Sequence, residues 1–321
     1  MNRLASGSIV ALALLSAGCQ IWSPRSGSVP AIKQAKVDGA TLSYLEQGQG
    51  MPVVFVHGSI ADHRTWDAQR EPTARKYRYI AFDQRYFGPA PWPDDGKHFS
   101  VATHANDLAA FLRQLDVGPA HLVGWSYGAD VVLVLAVQHP ALVRSVLLYE
   151  PSMATFVTEP ADLRAVNEDG EKMFAGGIAA VRAKDEVAAV RALLDGVDAL
   201  PGTFDAYPRG PRSVALENAR TLPLDFAAPP PPPITCAQLG SIKAPTAVVR
   251  GALTAPFFRI IANTASHCIP GSRLIVVPNA RHLWPAQEPA AFNRTLLEFL
   301  VRVREPEGGA QHSSAEGQES K

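Results

Sequence analysis

His121-Leu122-Val123-Gly124-Trp125-Ser126-Tyr127-Gly128-Ala129-Asp130 is the stretch that decides the fold of this chain. The apolar residues up to Val123 read as a buried strand, and Val131 to Ala136 as the body of a helix, with a sharp turn between them. This is G-x-S-x-G in the strand-turn-helix setting that gives the motif its meaning. A serine on so tight a turn has strained backbone, and glycines flank it because a Cβ there would strike the neighbouring strand or helix. The hydroxyl of Ser126 is thereby presented at the end of the sheet. A Gly-rich turn with an incidental serine is the alternative, and the strand before and helix after favour the first reading.

Outward from this turn, apolar strands and amphipathic helices alternate. Thr41 to Leu45, Pro52 to Val56 and Tyr79 to Phe82 precede it, and Ser100 is placed to cap a helix carrying Leu108, Phe111, Leu112 and Leu115. Ser145 to Tyr149 follows it and ends in Glu150-Pro151. Such alternation predicts an α/β fold, with a mostly parallel central sheet covered by helices on both faces. The alternation then stops: residues 152–233 read as an inserted helical cap whose return is a run of prolines, Pro229 to Pro233, stiff as a polyproline II spacer. Thr246 to Arg250, Arg273 to Val277 and a last helix bearing Phe292, Leu296, Phe299 and Leu300 complete a core spanning 37–151 and 234–304.

The ends are separate objects. Met1-Asn2-Arg3, the apolar Ile9 to Leu15 and Ser16-Ala17-Gly18-Cys19 together have the form of a bacterial export signal over residues 1–19. Gly18-Cys19 also has the form of a lipoprotein cleavage box, which would lipidate Cys19 and attach the protein to a membrane; Ser16 departs from the usual large aliphatic residue. The expected location is therefore periplasmic or membrane-anchored, with a cytoplasmic enzyme as the alternative. Residues 20–36 read as a linker, and 305–321, polar and Gly-rich, as a disordered tail. Cys236 and Cys268 could pair but are read as buried thiols.

Lys+Arg 30 against Asp+Glu 30 leaves no net charge, which speaks against a nucleic-acid partner. With 47% hydrophobic residues the chain can bury a large core, and a small, largely apolar ligand is the expected partner. Nothing in the sequence sets the oligomeric state.

From Thr41 to Val303 the chain resembles the α/β-hydrolase superfamily, on His57-Gly58 after one strand, Asp83-Gln84-Arg85 after the next, the Gly124 to Gly128 elbow, and His282 between the last strand and the last helix. The run Asp83 to Pro93 departs from the common form, in which G-H-G-x-S follows Asp-Gln-Arg. The resemblance implies a cofactor-free and metal-free serine hydrolase with Ser126 as nucleophile and His282 as base. It also implies an acid in the loop after Thr246 to Arg250, but that loop reads Gly251-Ala252-Leu253-Thr254, and no Asp or Glu lies between Asp225 and Glu288.

Some members of the superfamily carry the acid at the end of the strand that follows the elbow helix, which points here to Glu150; Asp130, one helical turn past Ser126, is the alternative. In this fold the oxyanion donors are the amide of Tyr127 and one in the loop after His57-Gly58, assigned to Ser59. Ile60, Trp125, Phe257, Phe258 and Trp284 lie beside the catalytic elements and are expected to form an apolar pocket. The expected reaction is cleavage of an ester or lactone through an acyl-enzyme. A cofactor-free perhydrolase, or a receptor-like binder that keeps the fold, remain as alternatives.

Overall fold

The computed structural model of the protein describes residues 30–303. The expected export signal, Cys19 and the tail at 305–321 lie outside the described residues. Eight strands run through the core: β1 (Lys33–Val37), β2 (Ala40–Gln47), β3 (Pro52–Val56), β4 (Arg78–Phe82), β5 (Ala120–Trp125), β6 (Val143–Tyr149), β7 (Thr246–Gly251) and β8 (Arg273–Val277). They form one sheet in the order β1-β2-β4-β3-β5-β6-β7-β8. Only β2 runs antiparallel to its neighbours β1 and β4; the other pairings are parallel.

The sequence expectation fails at β1. Lys33 to Lys36 fall in the expected linker, yet they pair with β2 through the turn at Asp38-Gly39, where Gly39 takes φ +71°. Their inward residues Ala35 and Val37 are buried, so this short strand has a half-apolar pattern that its lysines conceal.

Helices α1 (Asp67–Ala74), α2 (Val101–Gln114) and α3 (Tyr127–Gln138) follow the first strands. Between β6 and β7 stand α4 (Pro160–Arg182), α5 (Glu186–Val197), α6 (Thr203–Ala206), α7 (Arg209–Glu217) and α8 (Leu222–Phe226), with no strand among them. Pro229 to Pro233 form neither helix nor strand, and Thr155 Oγ1 donates to the carbonyl of Ile234 just beyond, tying the cap's exit to its entry. Then come α9 (Cys236–Leu239), α10 (Pro256–Cys268), α11 (Trp284–Gln287) and α12 (Pro289–Arg302).

The core lies around β3, β5 and β6, with Val53 to Val56 and Leu147 to Tyr149 fully buried. Helix α3 is buried from Tyr127 to Ala136, which is why its sequence is apolar all round rather than striped. Cys236 and Cys268 are not thiols, as expected, but a disulfide joining the start of α9 to the end of α10. The two positions are 32 residues apart in the chain, and only the packing of the two helices brings their Cα atoms to 5.0 Å.

Candidate active site

Ser126 stands between β5 and α3 with φ 55° and ψ −125°, a conformation that a residue with a Cβ rarely adopts. What permits it is the absence of side chains nearby. A Cβ on Gly124 would lie 2.7 Å from the Cα of Ala129, and one on Gly128 would lie 2.3 Å from the carbonyl oxygen of Val56. The amide of Ser126 is fixed by the carbonyl of Tyr149 at 2.9 Å, so the strand after the elbow helix holds the elbow in place.

That strand delivers the carboxylate. Glu150, the residue after β6, has φ 46° and is wholly buried; its amide bonds the carbonyl of Val249 at 3.0 Å. Its carboxylate accepts three hydrogen bonds: from the amide of Gly251 at 2.8 Å, from Thr254 Oγ1 at 2.9 Å and from His282 Nδ1 at 2.7 Å. Thr254 thus occupies the loop where an aspartate is usual and donates to the glutamate that has reached across from the next strand. His282 is only 3% exposed, and its ring is stacked on Phe258 at 3.8 Å and 13°. Its backbone carbonyl accepts from Trp125 Nε1 at 3.0 Å.

The loop bearing His282 is pinned from both sides. Tyr149 donates its hydroxyl to the carbonyl of Arg281 at 2.5 Å, and buried Asp198, just beyond α5, accepts from the amide of Leu283 at 3.1 Å. Asp198 and Phe258 were not singled out in the sequence as loop-holding groups. An aspartate after a helix has too many structural uses to be distinctive.

Asp130 faces elsewhere. Its carboxyl accepts from the amides of Ser152 and Met153 at 2.8 and 2.9 Å and from Ser152 Oγ at 2.5 Å. Burial, only partly offset by these bonds, pushes its pKa up to about 7.

Ser126 and His282 line one cavity of about 370 Å³ between sheet and cap. Ser59, Ile60, Trp125, Tyr127 and Phe258 line it as well, and the cap adds Phe174, Ile178, Leu193, Tyr207, Asp225 and Phe226. Two expected pocket residues fall outside it. Phe257 turns away from the cavity to pack edge-on against Phe174 and Phe258, and Trp284 packs between Tyr149 and Phe292 beneath the histidine loop. Both sit one position off the residue that does face inward, Phe258 and Leu283 respectively.

The architecture, the elbow and this cavity agree with the match of residues 51–289 to the family model described as the alpha/beta hydrolase fold. The chain belongs to the α/β-hydrolase family. Among relatives of this α/β hydrolase is the Mycobacterium tuberculosis protein BpoC, named a non-heme bromoperoxidase, 28% identical over 82% of this chain and 98% of its own. A 2-(acetamidomethylene)succinate hydrolase of Mesorhizobium japonicum is 25% identical over 84% of this chain and 94% of its own. The solved structure of Est816, described as an N-acyl homoserine lactone degrading enzyme, superposes with TM-score 0.58 at 25% identity, covering 83% of this chain and all (100%) of that one.

Around the hydrolase site, His57 is held neutral. Burial lowers its pKa, its Nδ1 donates to the carbonyl of Gly58 at 2.8 Å, and its Nε2 accepts from the amide of Gln84 at 3.1 Å. It shapes the loop after β3, which passes close over the elbow serine: a Cβ on Gly58 would lie 3.2 Å from the Cβ of Ser126. Tyr127 is the first residue of α3, so its N–H has no acceptor within the helix and is free to face the cavity.

Among the described residues, one cluster has the composition of a metal site: Asp62, His63 and Asp83, with ligand atoms within 4.8 Å of one another. Its groups are already engaged. Asp62 accepts from Arg64 and Asn218, and His63 Nδ1 lies 2.6 Å from Asp83. The donors read as an ion-pair network that fastens the loop after β3 to the cap.

Proposed function

We propose that the protein is a serine hydrolase that cleaves an ester or lactone of a small, largely apolar substrate through an acyl-enzyme. The observation that carries this reading is the constellation at one cavity: a strained serine on the elbow, and a histidine whose Nδ1 is held by a buried carboxylate at 2.7 Å. In this reading Ser126 Oγ attacks the carbonyl carbon and gives its proton to His282. The amides of Tyr127 and Ser59 hold the resulting oxyanion. Collapse breaks the bond to the alcohol oxygen, which leaves with the proton from His282. Water, deprotonated by the same histidine, then attacks the acyl-serine and frees the acid. Glu150 orients the imidazole and balances its transient charge.

The Ser126→Ala variant should lose turnover of a short p-nitrophenyl ester, and a fluorophosphonate probe should label the native protein but not this variant. Wild-type-like turnover in the variant, or a native protein that the probe leaves untouched, would remove the reading.

The relationship to BpoC gives a second reading some support: a perhydrolase in which hydrogen peroxide replaces water in the second step and a peracid leaves. Peracid formation dependent on hydrogen peroxide, measured beside ester hydrolysis, separates the two. Export is proposed with either reading. The Cys236–Cys268 disulfide supports it, because such bonds persist mainly in oxidising compartments.

A further inference from the structure

The cavity contains one carboxyl that the proposed reaction does not use. Asp225 belongs to α8, the last helix of the cap, and is half-buried on the cavity wall. Ser59, from the loop after β3, lines the same cavity, and its hydroxyl favours the ionised form of this acid. The cavity wall is largely apolar and aromatic, with Phe174, Tyr207, Phe226 and Phe258 among its members, and among the described residues no Lys or Arg lines it. A carboxylate in such a place bears the cost of leaving water without a counter-charge to offset it. A structural latch between cap and loop would be served as well by an asparagine, with none of that cost.

The missing partner is a cation, and the aromatic side chains that share the cavity with the acid suit one. The faces of Phe and Tyr attract an ammonium group, and its methyl or methylene carbons match the apolar wall. Anionic substrates meet the reverse situation: a second carboxylate would face Asp225 across a largely apolar wall that offers it, among the described residues, no Lys or Arg. This argues against the dicarboxylate chemistry in the name of the Mesorhizobium japonicum relative. We propose that Asp225 makes the pocket selective for esters or lactones that carry an ammonium group, and against those that carry a carboxylate. The inference rests on the serine-hydrolase reading and names the substrate class of the same site.

Ionisation is consistent with this role. Burial raises the pKa of Asp225 to about 6, with the Ser59 hydroxyl opposing the shift, so the group is charged at neutral pH. Tyr127 and Asp130 from α3 feel its charge, and Tyr207 from the cap and His282 from the loop after β8 face the same cavity.

Three p-nitrophenyl esters with the same three-methylene spacer test the proposal, the cationic and neutral ones matched in shape. The acids are 4-(trimethylammonio)butyrate, its neutral carbon isostere 5,5-dimethylhexanoate, and glutarate as the anionic half-ester, each corrected for spontaneous hydrolysis. The native enzyme should favour the cationic ester over the neutral one by about tenfold or more in kcat/KM, the scale of a desolvated ion pair with cation–π contact. The glutarate ester should be slowest. In Asp225→Asn the ratio of cationic to neutral ester should fall to near one.

The native ratio should also climb from about pH 5 to about pH 7 as the acid ionises, and this climb should vanish in the variant. A ratio at or below one in the native enzyme, or one that survives in Asp225→Asn with its pH dependence intact, overturns the proposal. A protein that fluorophosphonate labels at Ser126 but that does not favour the cationic ester overturns this inference alone. One that the probe does not label and that hydrolyses none of the three loses the hydrolase reading, and this inference with it.

Discussion

Two buried carboxyls flank the elbow of Ser126, Glu150 at the end of β6 and Asp130 in the first turn of α3, and the chain treats them oppositely. Glu150 is turned toward the imidazole and receives two further donors, the amide of Gly251 and the hydroxyl of Thr254. Asp130 is turned toward the segment that leads into the cap, where the amides of Ser152 and Met153 meet it, and its pKa rises to about 7. Both lie close in sequence to the elbow or to the strand that supports it. In the proposed reaction, what separates an orienting acid from a buried structural one is therefore the direction in which the backbone launches it. At Glu150 that launch has a positive φ of 46°, whereas Asp130 sits in ordinary helix.

The largest expected effect tests that division directly. Glu150→Gln keeps the shape and one acceptor but removes the charge facing His282, and should lower kcat by roughly 10³–10⁴, the scale known for neutralising a triad acid. Asp130→Asn should change kcat by less than about threefold, since it leaves the imidazole's partner in place. Steady-state kinetics on a short p-nitrophenyl ester measures both. A greater loss in the aspartate variant would exchange their roles.

Asp130 should announce itself in stability rather than rate. Its carboxyl has a higher pKa folded, about 7, than the usual carboxylate value of 3.8, so the folded state holds the proton more tightly. Stability from this group is thus fully present at low pH and is lost as pH rises from about 4 through 7, by up to about 4 kcal/mol. Denaturant unfolding of the native protein and of Asp130→Asn should show the native protein losing ground to the variant across that window. Parallel curves would mean that Asp130 is ionised throughout.

The sequence makes the first half of this comparison readable and hides the second. The elbow, the order of strands and His282 are legible because a strained Gly-x-Ser-x-Gly turn and buried apolar strands leave local marks. Glu150 is legible by default, because the loop at Thr254 holds no acid. The bond from Thr254 to Glu150 is not legible, since a threonine in a loop carries no sign of what it touches. Phe258 and Phe257 cannot be told apart in the chain, and one turns in while the other packs outside the cavity. The disulfide and the reach of Asp225 into the cavity depend on how helices of the cap and core pack, which short-range pattern does not encode.

The smallest effect is also the most pointed, because it asks whether the acid can be moved back. Thr254 Oγ1 lies 2.9 Å from Glu150 Oε2, which is itself 2.7 Å from His282 Nδ1, so a carboxylate at position 254 would start beside the one that already holds the imidazole. Added to the native enzyme, Thr254→Asp would set two carboxylates side by side in a dry site. They could not both ionise, and activity should fall at neutral pH and recover as pH rises. Added to Glu150→Gln, the same substitution supplies a negative charge on the Nδ1 side of His282 and should restore kcat by about tenfold, or about 1.4 kcal/mol. The recovery is partial because Gly251 holds the side chain at 150, not the one at 254, and the new carboxylate lacks that anchor. A double variant as slow as Glu150→Gln alone would mean that the geometry at β6, and not the mere presence of charge, is what His282 requires.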